Sequence, residues 1–128
     1  MPEFYAHSAV RHFNDADRLA ASAAFDGAGY LIGYAVECAI KAAVEGTRPM
    51  AKAPHAHLPD LIEKAKKMLN GRAQQAIFTA LKAPTLLDGW STDLRYDADG
   101  VVTEAIFLRW RSEAGRVLAA AGLKRGQV

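Results

Sequence analysis

The sequence contains few of the residues and motifs that define common catalytic classes. Its one cysteine, Cys38, excludes an intrachain disulfide. A glycine-rich phosphate loop, a Gly-x-Ser-x-Gly elbow and a Cys-x-x-Cys pair are all absent. The longest apolar run, residues 27–44, contains Glu37 and Lys41 and barely reaches the ~20 residues that a bilayer span requires. These absences argue against a P-loop nucleotide hydrolase, a serine hydrolase with a nucleophile elbow and a dithiol redox protein. They also argue against a transmembrane helix.

The composition is that of an ordinary globular protein. The chain has 128 residues, of which 51% are hydrophobic and 23% charged, and this predicts one domain over residues 1–128. The net charge of +2 is too small to indicate nucleic-acid binding by itself. No secretory signal is expected, since polar residues follow the N-terminus, and Cys38 lies in an apolar helical run. Both features favour a cytoplasmic protein with a reduced, buried thiol.

Helical periodicity extends through most of the chain, and no alternating strand pattern of convincing length occurs. Apolar spacing and Gly or Pro stop signals predict helices at about 5–25, 26–46, 58–69, 72–82 and 101–121, with loops at 46–57 and 83–100. The predicted fold is all-α, an antiparallel four- to five-helix bundle. Small residues, including Gly29 and Gly33, predict a close approach of the first two helices.

The second helix has a single polar stripe on an otherwise apolar surface. Tyr30, Tyr34, Glu37 and Lys41 recur at helical spacing and therefore share one face. A carboxylate in such an environment is costly unless cations or hydrogen-bond donors surround it. Glu37 therefore indicates either a structural ion pair or a functional site.

Two interpretations of this stripe follow from the residues. In the structural one, Glu37 pairs with Lys41 or with Arg95, and the tyrosine hydroxyls complete the network. In the functional one, aromatic faces stack on a base and an arginine holds a phosphate, in a pocket between the bundle and the 83–100 loop. The binding residues would then be Tyr30, Tyr34, Glu37, Lys41, His57, Trp90, Arg95 and Tyr96. In the structural interpretation, Trp90 packs into one end of the bundle as a core residue.

Two further groups of polar residues are candidates for metal or RNA binding. His55 and His57 could begin a metal site, but a third ligand at helical spacing is missing, so we predict no metal and no cofactor. Basic residues near the C-terminus form either a solvated face or a surface for RNA or a partner; they include Arg109, Arg116, Lys124 and Arg125.

Several segments together resemble the HEPN domain, a small helical domain often found beside minimal nucleotidyltransferases in prokaryotes. The matching segments, in order, are 15–17 (DAD), 33–42 (GYAVECAIKA), 57–61 (HLPDL), Trp90 and 95–96 (RY). The 33–42 string is the most specific of them. The resemblance implies an antiparallel bundle that commonly forms homodimers. It also implies a role in toxin-antitoxin, defence or nucleotide-related systems, with a nucleotidyltransferase, a nucleotide or RNA as partner.

The chain departs from the pattern of HEPN ribonucleases, which carry an Arg and then, after four to six residues, a His on one helix. Its nearest match, Arg48 and His55, lies in a Pro-containing loop. The favoured hypothesis is a non-catalytic HEPN-like module that binds a nucleotide, RNA or a partner. The alternative is a divergent metal-independent ribonuclease toxin with Arg48 and His55 as catalytic candidates.

Overall fold

The fold is all-helical, as predicted. The computed structural model describes residues 4–47, 51–69 and 71–123, and within these ranges it contains five α-helices and no β-strand. The helices are α1 (Tyr5–Ala21), α2 (Phe25–Glu45), α3 (Asp60–Met68), α4 (Gln75–Leu81) and α5 (Glu104–Ala120), with short 3-10 helices at Arg72–Gln74 and Thr92–Tyr96.

Two helix boundaries differ from the predicted ones for local reasons. α1 ends at Ala21, about four residues early, because Ala23 adopts a positive φ of 61° in the turn to α2. An alanine-rich segment has high helix propensity, so its sequence does not reveal this turn. α5 begins at Glu104 because Thr103 Oγ1 accepts a hydrogen bond from the Ile106 N–H at 3.2 Å, which caps the helix.

α1 and α2 form an antiparallel pair. Their contacts run in opposite chain directions: Tyr5 lies under Lys41, His12 lies beside Tyr34, and Leu19 approaches the backbone at Gly27. Alanines and branched side chains fill the space between these helices and the rest of the bundle. The fully buried members of this core include Ala9, Phe13, Ala16, Ile32, Ala35, Val36, Ala39, Ile40 and Val44.

α5 packs against both helices of this pair. In the middle of α5, the Arg111 guanidinium makes two hydrogen bonds to the Asp17 carboxylate, at 2.6 and 2.9 Å. Near its end, Ala120 lines a groove together with Ala6. α5 is therefore antiparallel to α1 and runs in the same direction as α2.

Gly29 and Gly33 of α2 face side chains from outside α1. A Cβ on Gly33 would lie 1.9 Å from Trp90 Cε2, and a Cβ on Gly29 would lie 2.7 Å from Val102 Cγ1. The Trp90 indole N–H also donates to the Gly29 carbonyl at 3.0 Å. The predicted close approach of α1 at these two positions is therefore wrong. A flat indole ring needs the space that a missing Cβ leaves.

We call residues 83–103 the strap, because this segment crosses α2 between α4 and α5. Besides Trp90, it is held by the Asp26 carboxylate in the first turn of α2. That carboxylate accepts the Gly100 N–H at 2.7 Å and the Val102 N–H at 2.9 Å. These two backbone hydrogen bonds lower the pKa of Asp26.

Over the described residues, no helix combines the length and apolar character that crossing a membrane requires.

Candidate ligand-binding face

A buried ion pair lies in the middle of the polar stripe. Glu37 is 4% exposed and Lys41 is 8% exposed. Lys41 Nζ donates to Glu37 Oε2 at 3.2 Å, one helical turn away. The predicted pairing of these two residues is confirmed. Lys41 Nζ also lies 5.5 Å from the centre of the Tyr5 ring, so an aromatic face of α1 helps to compensate its charge.

His57 is the second partner of this carboxylate. Its Nδ1 lies 3.1 Å from Glu37 Oε1 and 3.2 Å from Oε2. An ionised carboxylate only accepts hydrogen bonds, so Nδ1 carries the proton in this arrangement. The side chain is nevertheless 61% exposed, and no described residue hydrogen-bonds its Nε2. The buried Leu58 anchors this segment next to His57.

Aromatic rings continue the stripe toward the start of α2. The hydroxyls of Tyr30 and Tyr34 lie 3.1 Å apart, and their rings meet edge to face at 5.0 Å. Trp90 stacks on Tyr30 at 6.1 Å and meets Tyr34 edge to face at 5.5 Å. Trp90 itself is 3% exposed and fills the gap above Gly33. Trp90 thus supports the cluster from inside, whereas the two tyrosines are half-buried.

His12 joins this face from α1, and the sequence analysis missed it. Its ring lies 6.2 Å from that of Tyr34. Burial lowers the pKa of His12, Arg11 lowers it further, and the carboxylates of Asp15 and Glu37 oppose these effects. A signal was available, because His12 follows Ala9 by three residues and precedes Ala16 by four, on the apolar side of α1.

The strap brings two further predicted residues toward α2. The 3-10 helix Thr92–Tyr96 packs against α2, and the Ser91 hydroxyl caps it by accepting the Asp93 N–H. Tyr96 is 76% exposed. The side chain of Arg95 lies outside the described part of the structure, so the predicted pairing of Glu37 with Arg95 stays a prediction.

The catalytic candidates of the ribonuclease alternative lie in the connection between α2 and α3. His55 is exposed in a non-helical segment, and Arg48 lies outside the described residues. Of the residues that the structure describes, no group of three or more His, Cys, Asp and Glu side chains could hold a metal ion.

A groove of about 400 Å³ lies on the other side of Trp90, between α3 and the strap. Its wall includes Pro59, Ile62, Lys66, Leu86, Asp88 and Trp90.

On α5, Arg109 donates to the Asp88 carbonyl at 3.2 Å, so this arginine also fastens the strap. Arg116 donates to the Ser112 hydroxyl within its own helix. The remaining members of the basic set, Lys124 and Arg125, lie outside the described residues.

The chemistry of the face follows from these contacts. Glu37 and Lys41 neutralise each other, the tyrosines offer ring surface, and His57 offers an imidazole whose inner nitrogen is already bound. Such a face can stack on a planar ligand and can bind an anion when the imidazole is protonated. No family model, curated protein or solved structure matches this chain.

Proposed function

We propose that this chain is a non-catalytic HEPN-like helical module that binds a nucleotide or RNA. One observation carries the proposal: the half-buried rings of Tyr30 and Tyr34 lie on the same face of α2 as the Glu37–Lys41 pair, which holds the outward-facing His57.

This combination fits a nucleotide better than a purely apolar ligand. Stacking on aromatic side chains is worth about 1–3 kcal/mol per base and tolerates any base, since every base has a π-face. An imidazole at the edge of the aromatic cluster adds a group that recognises phosphate or ribose. Tyr96, at the end of the 3-10 helix that packs on α2, offers a further exposed ring.

The position of His55 supports the non-catalytic version. A ribonuclease of this family type is expected to present its Arg and His from one helix, with two such motifs facing the phosphate across a dimer. His55 instead lies in a non-helical segment. The divergent ribonuclease is therefore kept only as an outcome of the test below.

The proposal includes two assemblies, both of which rest on the resemblance to the HEPN family. One is a homodimer, which sedimentation equilibrium of the purified chain tests. The other is a complex with a nucleotidyltransferase, which co-purification with such a protein encoded nearby tests. A monomer at all concentrations, or no co-purification, would contradict the respective assembly.

The test of binding uses fluorescently labelled single-stranded RNA and, separately, adenosine nucleotides. We expect saturable binding by the wild-type chain. Tyr34→Leu should weaken it about tenfold because a stacking face is lost, whereas Tyr34→Phe keeps the ring and should bind nearly as wild type. Leu108→Ala, which trims another exposed apolar side chain, is the matched surface control.

Cleavage is measured in the same mixtures, with and without chelator. Intact RNA is the expected result. Chelator-resistant cleavage that disappears in the Arg48→Ala/His55→Ala double variant would establish the ribonuclease and overturn the non-catalytic proposal. Absence of any binding by wild-type protein would overturn the nucleotide- or RNA-binding role.

A further inference from the structure

The imidazole of His57 is held in one orientation by a buried group. Both Glu37 oxygens lie within 3.2 Å of Nδ1, and the carboxylate itself is anchored by Lys41. A carboxylate that binds one ring nitrogen fixes the tautomer and leaves the other nitrogen for a ligand. Since 61% of the side chain is exposed, Nε2 is the nitrogen available to a bound molecule.

The charges around His57 make its interaction with an anion depend on protonation. On α2, it faces Glu37 and Lys41, whose charges cancel. On α1, His12 lies near Glu37, with Arg11 and Asp15 beside it. On its own segment, Lys52 and His55 are exposed, and so is Asp60 at the start of α3. A neutral imidazole therefore adds no charge to a balanced pair, whereas an imidazolium adds one positive charge at the surface.

The tyrosines lie at a suitable distance along the same helix. Tyr34 precedes Glu37 by three residues, and Tyr30 precedes Tyr34 by four. Each residue is therefore about one helical turn from the next, with about 5–6 Å between their Cβ atoms. A nucleotide whose base lies on a tyrosine can thus place its phosphate near the imidazole.

Building on the proposed nucleotide- or RNA-binding function, we propose that His57 Nε2 is the phosphate contact of this face and that Glu37 is its positioning residue. The ligand class is then a nucleotide or RNA segment whose base stacks on Tyr34 or Tyr30 while a phosphate oxygen accepts a hydrogen bond from the His57 imidazolium.

The experiment compares adenosine with the dinucleotide ApA by calorimetry at about pH 6 and pH 8, which bracket the range where histidine changes charge. A phosphodiester keeps one charge in this range, whereas a terminal phosphate has a second pKa of about 6. We expect ApA to bind about tenfold more tightly at the lower pH, because a charge-assisted hydrogen bond is gained. Adenosine affinity should not change with pH.

Three variants assign the effect. His57→Gln should remove the pH dependence for ApA and keep adenosine binding, and His57→Arg should keep tight ApA binding at both pH values. Glu37→Gln should weaken ApA binding at the lower pH, because the imidazole loses the carboxylate that orients it. His7→Gln removes an exposed histidine of α1 and should leave the profile unchanged.

The outcomes separate this inference from the proposed function. If adenosine and ApA bind equally at both pH values, or if the pH dependence survives in His57→Gln and disappears in His12→Gln, the phosphate contact is overturned while nucleotide binding stands. If neither adenosine, ApA nor RNA binds, the proposed function fails and this inference fails with it.

Discussion

Glu37 and Glu113 are both 4% exposed, yet their surroundings differ. Glu37 is compensated by two side chains, the buried ammonium of Lys41 and an imidazole that reaches the surface. Glu113 accepts the backbone N–H of Leu87 at 3.0 Å and so fastens the strap, where Leu87 adopts a positive φ of 50°. Equal burial therefore does not imply equal roles. Glu37 is bound by a histidine that can change charge and is exposed to solvent, which indicates a candidate site. Glu113 is bound by a backbone N–H, which indicates a structural role.

Trp90 connects the two regions. Its backbone N–H donates to the Leu87 carbonyl at 3.0 Å, next to the contact of Glu113. Its ring fills the gap above Gly33, one turn before Glu37. The strap thus connects Glu113, through Leu87 and Trp90, to the aromatic part of the candidate face.

Removing the Glu37 carboxylate should have the largest effect on stability. Glu37→Ala leaves the buried Lys41 ammonium without an anion, so we expect the free energy of unfolding to fall by about 3 kcal/mol or more. Urea unfolding followed by tryptophan fluorescence measures this. Glu37→Gln should cost less, and the Glu37→Leu/Lys41→Leu double variant should recover most of the loss because no buried charge remains. A loss below about 0.5 kcal/mol in Glu37→Ala would contradict the buried ion pair.

Adding a methyl group at Gly33 tests the connection between the regions. Gly33→Ala forces Trp90 out of its place, and we expect a net destabilisation of about 2 kcal/mol despite the gain in helix propensity. The tryptophan emission spectrum of the protein, to which Trp90 and Trp110 contribute, should shift as the Trp90 ring moves. Gly27→Ala is the control in the same helix, because its Cβ meets only the flexible end of Leu19 at 3.3 Å. Equal stability of the two variants would refute the packing of Trp90 on Gly33.

Glu113 should respond differently from Glu37 to loss of charge. Glu113→Ala leaves the buried Leu87 N–H without its acceptor and should cost about 1–2 kcal/mol. Glu113→Gln keeps a carbonyl acceptor and should change stability by less than about 0.5 kcal/mol. Thermal unfolding of the two variants measures the difference. If Glu113→Gln were as damaging as Glu113→Ala, the negative charge rather than the hydrogen bond would be the important feature.

The smallest effects concern the dependence of stability on pH, and they have the same sign for His12 of α1 and Asp26 of α2. The pKa of His12 is lowered mainly by burial, and that of Asp26 by its backbone hydrogen bonds. For each group the unfolded chain binds protons more readily, so stability falls as pH falls. The contribution of His12 to the free energy of unfolding is complete above about pH 6.5 and is lost below it. The contribution of Asp26 is lost below about pH 3.9.

Stability measured against pH in two variants checks these windows. His12→Gln should remove the loss that begins near neutral pH, and Asp26→Asn should remove the one at acidic pH. Unchanged curves in both variants would show that other groups control the acid response.

Local features of the sequence predicted much of the fold. Periodicity located all five helices, and the spacing of Glu37 and Lys41 predicted their pairing, since residues four apart on a helix are neighbours. The predictions failed where contacts cross between distant segments. Gly33 was assigned to a contact with α1 because a glycine shows only that something approaches closely, not which element does. Glu113 was overlooked, although Trp110 and Val117 place it on the buried side of α5.

The sequence by itself determined the all-helical class, the approximate helix bounds and the amphipathic stripe, because each depends on residues within a few turns of one another. Only the tertiary structure decided that His57, twenty residues from Glu37, meets its carboxylate, and that Trp90 packs on Gly33. These contacts depend on the path of non-helical segments, which local periodicity does not encode. The candidate face is therefore a product of chain packing around a helix that the sequence had already specified.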